Sequence, residues 1–378
     1  MTADSVMDAV RRRPQKVIPT AMFHLMEHRH IERIAGVPPG SYQKDPEKVY
    51  IQMLKNAGIT VTDQYLALNP LTMGNQGYAS DTERKATTGS QEIFCDGCRI
   101  DSPEAVAAHL ESVEFPRLIR AAESFNEDER IAEITADELR KRRFLGPEII
   151  KTGYGFITFP TLSYTTYGYE NYFMAYALFP ELMERHFSLQ ADLAVLNNRA
   201  VVKVFRNLDI PPLNRLDHDM ADSRGTLVDI TSLDRIWFPH FYRSILPCLN
   251  AEINLIWHCD GNLMKMLPRL LECGLQGFQG FQYEDGMDYV KICRTRTKEG
   301  RYSIIWAGVS VTRTLPLGTP DEVRKEINFL VSHGPPTGLF LGTSSSVTPG
   351  VPWKNIEMML AGFRYYRETG RDCIWSKA

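Results

Sequence analysis

The sequence has few cysteines and no long apolar run. Seven cysteines are scattered over 378 residues, and an odd number at such spacing is typical of reduced thiols rather than of a disulfide framework. No stretch approaches the roughly 20 apolar residues of a membrane helix. The segment before Pro14 carries charged residues where a signal peptide has its apolar core. These absences predict a cytoplasmic protein.

A strong charge of either sign is also missing. The formal net charge is −3 at pH 7, with 43% hydrophobic and 24% charged residues. Such values are typical of a globular protein, whereas a nucleic-acid binder needs a positive surface that displaces counterions from phosphates. No repeat, low-complexity tract or linker divides the chain. We therefore expect one domain, residues 1–378, that acts on a small molecule and binds no nucleic acid.

The second half of the sequence alternates short apolar runs with longer segments of helical period. This pattern is typical of a parallel sheet with helical crossovers. Thr319, Pro320 and Glu322 form the most complete helix start in this half, with a capping residue followed by proline and a glutamate. The predicted strands are 213–218, 253–258, 275–281, 302–309 and 338–342.

The first half is less regular. Further strands are predicted at 16–23, 59–66, 154–159 and 200–205. With the five strands above they make nine runs, roughly the eight strands of a closed (β/α)8 TIM barrel. Residues 69–150 are predicted to form an irregular and helical insertion within this barrel. Its first part, 69–97, is rich in Gly, Thr, Ser and Asn. Long irregular segments of compact enzymes are commonly lids, so we expect it to border the mouth of the barrel.

Polar side chains lie at the end of three consecutive predicted strands or just after it. Catalytic groups of a parallel barrel come from the carboxyl ends of its strands, so these side chains are expected on one rim. They suit either a divalent metal, bound by imidazole nitrogen and carboxylate oxygen, or acid–base chemistry with one shifted carboxyl pKa. The three groups are Asp217, His218 and Asp219, then His258, Cys259 and Asp260, then Glu284 and Asp285.

Four of these residues are the candidate catalytic groups, namely Asp219, His258, Asp260 and Glu284. The candidate metal ligands are His258, Asp260 and Glu284, and zinc is the candidate metal. His258 and Asp260 lie on one side of an extended segment, and Gly261 lets the backbone turn beside them.

The neighbouring polar residues have structural interpretations. Asp217 and Asp222 equally suit capping or turn positions. His218 and Cys259 alternate away from the candidate residues beside them, and structural roles are expected for both.

Seven segments along most of the chain carry a family resemblance. They are RRRPQKVIPTAMF (11–23), GYENYFMAYALFPELMERHF (168–187), LDHDMADSRG (216–225), IWHCDGNLMKMLPRLLECGLQGFQ (256–279), YEDGMDY (283–289), LPLGTPDEV (315–323) and VPWKNIEMML (351–360). In this order they resemble the uroporphyrinogen decarboxylase-like superfamily, which includes the heme-pathway decarboxylase and the cobalamin-dependent methyltransferases. The resemblance implies a (β/α)8 barrel with its site at the C-terminal mouth.

The sequence departs from the motifs of both branches. The decarboxylases carry an Arg-Gln-Ala-Gly-Arg-Tyr segment after the first strand, where this chain reads FHLMEHRH (23–30). Thiol-methylating methyltransferases hold zinc with a His-x-Cys pair and a later Cys. His258 matches the first ligand, Asp260 stands in the place of the second, and 343–346 contains no cysteine. An oxygen-rich site of this kind suits O-methyl or N-methyl substrates.

The resemblance implies, first, a methyltransferase that moves a methyl group from a small methylated compound to the corrinoid of a partner protein. The alternative is a decarboxylase of uroporphyrinogen or another carboxylate, in which Asp219 would stabilise a protonated intermediate. A third hypothesis is a catalytically inactive barrel that only binds a ligand. Each of these functions is compatible with a homodimer.

Overall fold

The computed structural model describes residues 2–21, 24–67 and 92–376. Its strands are β1 Val61–Thr62, β2 Phe94–Cys95, β3 Cys98–Arg99, β4 Ile150–Lys151, β5 Gly153–Tyr154, β6 Leu213–Asp217, β7 Ala221–Asp222, β8 Gly225–Thr226, β9 Asn254–His258, β10 Gly277–Gln279, β11 Ile304–Val309 and β12 Leu339–Thr343.

The helices surround and connect these strands. In chain order they are α1 Thr2–Val10, α2 His28–Ala35, α3 Ser41–Lys44, α4 Pro46–Ala57, α5 Pro103–His109, α6 Phe115–Glu123, α7 Glu127–Leu145, α8 Tyr164–Tyr167, α9 Tyr169–Leu178, α10 Pro180–Asn207, α11 Ile230–Ile236, α12 Phe238–Asn250, α13 Leu267–Glu272, α14 Tyr289–Cys293, α15 Thr314–Leu317, α16 Pro320–His333 and α17 Trp353–Glu368. A π-helical turn at Leu110–Glu114 joins α5 to α6.

Six strands form one parallel sheet in the order β12-β11-β10-β9-β6-β5. The five strands predicted in the second half are all present, and helices lie between them. Sequential strands are therefore neighbours, and their carboxyl ends meet at one edge of the sheet. The predicted βα alternation of this half is confirmed.

The first half supplies shorter strand segments. β1 pairs with β4 in parallel, and Thr20 forms a parallel bridge with Leu341 of β12. The amide of Thr60 donates to the carbonyl of Thr20 at 2.9 Å, and the amide of Thr152 donates to the carbonyl of Thr62 at 3.0 Å. Backbone hydrogen bonds thus run from β12 through Thr20 and β1 to the residues beside β5.

The two faces of the sheet pack against different partners. Leu255 and Trp257 of β9 join the large apolar cluster of the surrounding helices, whereas Ile256 between them joins a smaller cluster. Successive side chains of a strand point to opposite faces, so the smaller cluster marks the inner face. Helix α1 covers this face, with Val6 and Val10 fully buried in the same cluster.

One predicted strand is wrong. Residues 200–205 lie in the last turns of α10, not in the sheet. Val201, Val204 and Phe205 are buried there, and a short apolar run fits a buried helix as well as a strand, so periodicity could not separate the two.

The other predicted elements of the first half are shortened. Within 154–159 the strand ends at Tyr154, and the described part of 16–23 contains only the bridge at Thr20. The predicted lid, 69–97, lies mostly outside the described residues. Its last residues begin the β2–β3 hairpin, and helices α5 to α7 follow within 103–145.

The predicted start of α16 is confirmed. The Thr319 side chain accepts from the backbone amide of Glu322 at 3.3 Å, and the Glu322 carboxylate accepts from the amide of Thr319 at 2.7 Å. This reciprocal pair satisfies two amides that a helix start leaves without partners. No helix in the described parts of the chain has the length and apolar character to cross a lipid bilayer.

Candidate metal centre

Three acidic and imidazole side chains meet at the carboxyl edge of the sheet. Asp217 is the last residue of β6, His258 is the last residue of β9, and the two are register partners. Asp219 follows two residues after β6. Within residues 2–21, 24–67 and 92–376, these three side chains form the group that could hold a metal ion, with ligand atoms all within 4.8 Å of one another.

Asp217 is held by two donors on the inner face. Its Oδ2 accepts from Nη1 of Arg215 at 2.8 Å and from the hydroxyl of Tyr154 at 3.0 Å. Nε of Arg215 donates to Oδ2 of Asp63 at 2.5 Å. Tyr154 and Arg215 are register partners on β5 and β6. Strand pairing therefore places both donors beside the carboxylate.

Asp219 and His258, the other two members of the group, have backbone partners. Oδ1 of Asp219 accepts from the backbone amide of Asp260 at 2.9 Å. Nδ1 of His258 lies 3.3 Å from the carbonyl oxygen of Gln279, its register partner on β10. A neutral imidazole that donates from Nδ1 to this carbonyl has its lone pair on Nε2, the usual arrangement of a metal-binding histidine.

Gly280 leaves room for the His258 ring. It has a φ of 72°, and a Cβ at this position would lie 2.7 Å from Nδ1 of His258 and 2.6 Å from the carbonyl oxygen of Ser344. A side chain would therefore push the imidazole out of place. Gly261 is similarly constrained, with a φ of 88° and only 2.7 Å between an added Cβ and the carbonyl oxygen of Asp222.

Burial and the neighbouring charges shift the pKa values of two carboxyl groups, those of Asp217 and Asp260, in opposite directions. Burial raises the pKa of Asp217, but His258, Arg215 and the Tyr154 hydroxyl together favour its charged form, so the net shift is downward. The pKa of Asp260 is raised by burial and by the charges of Asp219 and Asp217, which outweigh the opposing effect of His258. Asp217 is thus an anion at neutral pH, as a metal ligand must be.

The predicted residues lie on one rim, but not all join the group. Asp219 and His258 belong to it. Asp260 is beside it, with its Oδ1 3.9 Å from Nε2 of His258. Glu284 follows β10 in the 3-10 turn Tyr283–Asp285 and accepts from the hydroxyl of Ser310 at 3.0 Å.

The expectation that Asp219, His258 and Glu284 share the carboxyl edge is therefore confirmed. The ligand set that the geometry brings together contains Asp217 and Asp219 in place of Asp260 and Glu284.

The residues expected to be structural have structural contacts. Nε2 of His218 accepts from the amide of Leu162 at 2.9 Å, and burial lowers the pKa of His218 to about 4. Cys259 is buried, and its Sγ accepts from the amide of Met220 at 3.3 Å. Asp222 accepts from the amide of Arg224 at 2.8 Å in the turn between β7 and β8.

Sequence reasoning missed how Asp217 is held. Leu213, Arg215 and Asp217 alternate along β6, so a buried arginine and the aspartate share one face. A charged residue inside an apolar strand was the signal that could have found this pair. Tyr154 and Asp63 carried no such signal, because they approach Arg215 from β5 and from the segment after β1.

One imidazole nitrogen and two carboxylate oxygens form a chemically suitable ligand set for zinc or a similar divalent cation. Catalytic zinc sites commonly use three protein ligands of these types and leave a further position for water or substrate. Each of these three side chains is also held by another protein group, as the ligands of functional metal sites commonly are. The residues present therefore fit a catalytic metal ion.

The chain shares its fold with a methyltransferase of known structure. No family model matches the sequence, and no curated protein matches it. Among solved structures, it is similar to a methyltransferase from Methanosarcina mazei, with 14% sequence identity, 97% of this chain and 98% of that chain covered, and a TM-score of 0.56. At this identity the likeness establishes a common α/β fold over nearly the whole length.

A second similar structure was solved as a structural-genomics target from Listeria monocytogenes and described as a vitamin-B12 independent methionine synthase. It shares 12% identity, with 96% of this chain and 100% of that chain covered, and a TM-score of 0.46. A similarity at this level adds no argument about the site.

Proposed function

We propose that this chain is a metal-dependent methyltransferase that moves a methyl group from a small O-methyl or N-methyl compound to the corrinoid of a partner protein. The observation that carries the proposal is the group of Asp217, Asp219 and His258 at the carboxyl edge of the sheet. The fold shared with a methyltransferase agrees with this assignment.

The proposal includes a complete (β/α)8 barrel formed by one domain. The parallel bridge of Thr20 with Leu341, the pairing of β1 with β4, and the pairing of β5 with β6 support an eight-membered ring of strand segments. In such a barrel the inner face below the site is filled by side chains. Val6 and Val10 of α1 would close its other end.

A divalent metal held by Asp217, Asp219 and His258 would act as a Lewis acid toward the oxygen or nitrogen that loses the methyl group. Two carboxylates and one neutral imidazole balance the charge of such a cation. They are also harder ligands than the thiolates of a site that activates thiols. The methyl group would pass from that atom to the reduced corrinoid, and a proton would take its place on the leaving oxygen or nitrogen. Catalytic roles for Asp260 and Glu284 stay predictions.

A decarboxylase is less well supported by the local charges. A site for a polycarboxylate needs cations that face the substrate. Arg215, the buried cation beside Asp217, is already paired with both Asp63 and Asp217. We therefore place methyl transfer first and uroporphyrinogen decarboxylation second.

The test combines metal analysis with a methyl-donor screen. The purified protein is loaded with zinc and incubated with reduced corrinoid and a panel of O-methyl and N-methyl compounds, and the absorbance change of corrinoid methylation is followed. Methylation that depends on metal supports the proposal. Carbon dioxide release from uroporphyrinogen, with no methylation of the corrinoid, would favour the alternative.

A matched pair of variants links activity to the site. Asp219→Asn removes one anionic ligand, so metal content and methylation should both fall at least tenfold. Asp222→Asn changes a turn aspartate three residues later that already pairs with Arg224. Equal activity of the two variants would mean that the group at 217, 219 and 258 is not the active site.

A further inference from the structure

The two oxygens of Asp217 have different surroundings. Oδ2 accepts two hydrogen bonds, from Arg215 and from Tyr154, and a carboxylate oxygen has about two lone-pair directions for acceptance. Both directions on Oδ2 are therefore occupied by protein donors. A cation that approached Oδ2 would have to displace one of them or lie beside the positive guanidinium.

We propose that Tyr154 and Arg215 are positioning residues that make Asp217 a monodentate ligand, so that the metal contacts Oδ1 alone. The inference rests on the proposed metal centre and extends it to residues that bind no metal themselves. Asp63 completes the arrangement, because it holds the other side of the same guanidinium.

Arg215 needs Asp63 in order to stay where it is. The Arg215 side chain is only 2% exposed and the Asp63 side chain 4%, and a buried cation is strongly destabilising without a close anion. If Asp217 were the sole partner, its charge would be fully neutralised by the guanidinium. With Asp63 present, two carboxylates share one cation, so Asp217 keeps part of its negative charge for the metal.

Tyr154 fixes the orientation of both groups. Its ring centroid lies 4.5 Å from Cζ of Arg215, a cation–π distance, while its hydroxyl donates to Asp217. The ring therefore restricts the guanidinium and the hydroxyl restricts the carboxylate. Phenylalanine at this position would retain the ring contact and remove only the hydrogen bond.

The proposal predicts the kind of metal. A monodentate carboxylate suits four-coordinate zinc, whereas calcium favours six to eight oxygen ligands, often with a bidentate carboxylate. Removal of the donors on Oδ2 should weaken zinc binding. It should also let Asp217 bind through both oxygens, which raises the coordination number.

The experiment measures zinc affinity by competition with a chromophoric chelator, and coordination by the visible absorption of the cobalt(II)-substituted protein. Tyr154→Phe should weaken zinc binding about tenfold or more, the usual effect of losing a group that orients a ligand. It should also lower the intensity of the cobalt absorption, because four-coordinate cobalt absorbs more strongly than higher-coordinate cobalt. Asp63→Asn should also weaken zinc binding, because Arg215 would then neutralise Asp217 alone.

Tyr65→Phe is the matched control. The Tyr65 hydroxyl also donates to a carboxylate, Oε1 of Glu47, at 2.8 Å, but this carboxylate lies outside the metal group. The control should therefore keep wild-type zinc affinity and the wild-type cobalt spectrum.

The outcomes separate this inference from the proposed function. Wild-type protein that binds no zinc or cobalt would overturn the metal centre and this inference with it. Wild-type binding with an unchanged Tyr154→Phe variant would overturn the inference alone, as would an equal loss in Tyr154→Phe and Tyr65→Phe. The Tyr154 result decides the matter even if variants at Asp63 fail to fold.

Discussion

The two ends of the parallel sheet differ in what their side chains do. At the amino ends of the strands, which we call the closed end, α1 packs Val6 and Val10 against apolar residues such as Leu213 and Phe340. At the carboxyl ends, the polar end, Asp217, Asp219 and His258 converge. The difference teaches that the same sheet buries apolar area at one end and concentrates charge at the other, so stability and chemistry can be changed separately.

The largest effect is expected at the closed end. Phe340 is fully buried on the inner face and stacks on Trp306 with ring centroids 5.4 Å apart. Phe340→Ala removes this contact and leaves a cavity, so the free energy of unfolding should fall by about 3–5 kcal/mol. Urea denaturation of the variant and the wild type measures this change in the free energy of unfolding. A loss below about 1 kcal/mol would mean that the closed end does not carry the stability assigned to it.

The next effect concerns a carboxyl group near the polar end. Glu326 of α16 accepts from the amide of Ser310 at 2.9 Å. Its pKa is raised from 4.5 to about 7, first by burial and also by the charge of Glu284. Between these two values the folded state keeps a proton that the unfolded state releases. Stability from this group is therefore full below pH 4.5 and is lost as the pH rises to about 7.

Glu326→Gln removes this pH dependence. The free energy of unfolding of the variant, relative to that of the wild type, should rise as the pH increases from 4.5 to 7.5. The rise should reach up to about 3 kcal/mol, because each pKa unit corresponds to about 1.4 kcal/mol. Unfolding curves at the two pH values measure the change. Parallel pH profiles of the two proteins would show that Glu326 keeps an ordinary pKa.

The ligand substitutions sharpen the comparison within the polar end. His258→Ala removes a proposed ligand, so metal affinity should fall at least tenfold, or about 1.4 kcal/mol. Asp260→Asn should have a smaller effect, because Asp219 is held by the backbone amide of Asp260 and not by its side chain. Metal titration of both variants checks the ranking. An equal or larger loss in Asp260→Asn would make Asp260 a ligand, as the sequence alone suggests.

The smallest effect breaks the simple division between the two ends. Thr319 starts α16, which begins on the side of the polar end, yet its role is to cap the helix. Thr319→Ala should lower the free energy of unfolding by about 1 kcal/mol and leave metal affinity unchanged. Thermal unfolding and zinc titration of the same variant test both statements. A change in zinc affinity would mean that this helix start also supports the site.

The difference in predictability follows the two halves of the chain. The five sheet strands from residue 213 onward were predicted because each is a short apolar run with a helical segment behind it. Residues 200–205 were misassigned because valines and phenylalanine pack equally well on a buried helix, here α10. Local sequence carries no information about which neighbours will cover such a run.

The candidate site shows the same limit. Asp219 and His258 could be selected because they lie at or just after the ends of strands whose carboxyl ends must meet. Asp260 and Glu284 follow strands on the same edge, but the group that could hold a metal ion instead includes Asp217. Side-chain direction at the end of a strand depends on register and on the following turn, and spacing along the chain does not reveal it.

The amino-acid sequence by itself determined the parallel βα order of the second half, the start of α16, and the rim on which the polar residues lie, because these depend on periodicity and on residues a few positions apart. Tertiary structure alone decided that Asp217 joins Asp219 and His258, and that Tyr154, Arg215 and Asp63 hold it. These residues come from several strands and connections across 196 positions of the chain, from Asp63 to His258. Their distances are set by how the strands pair and by the packing of the whole sheet, and no local pattern encodes that.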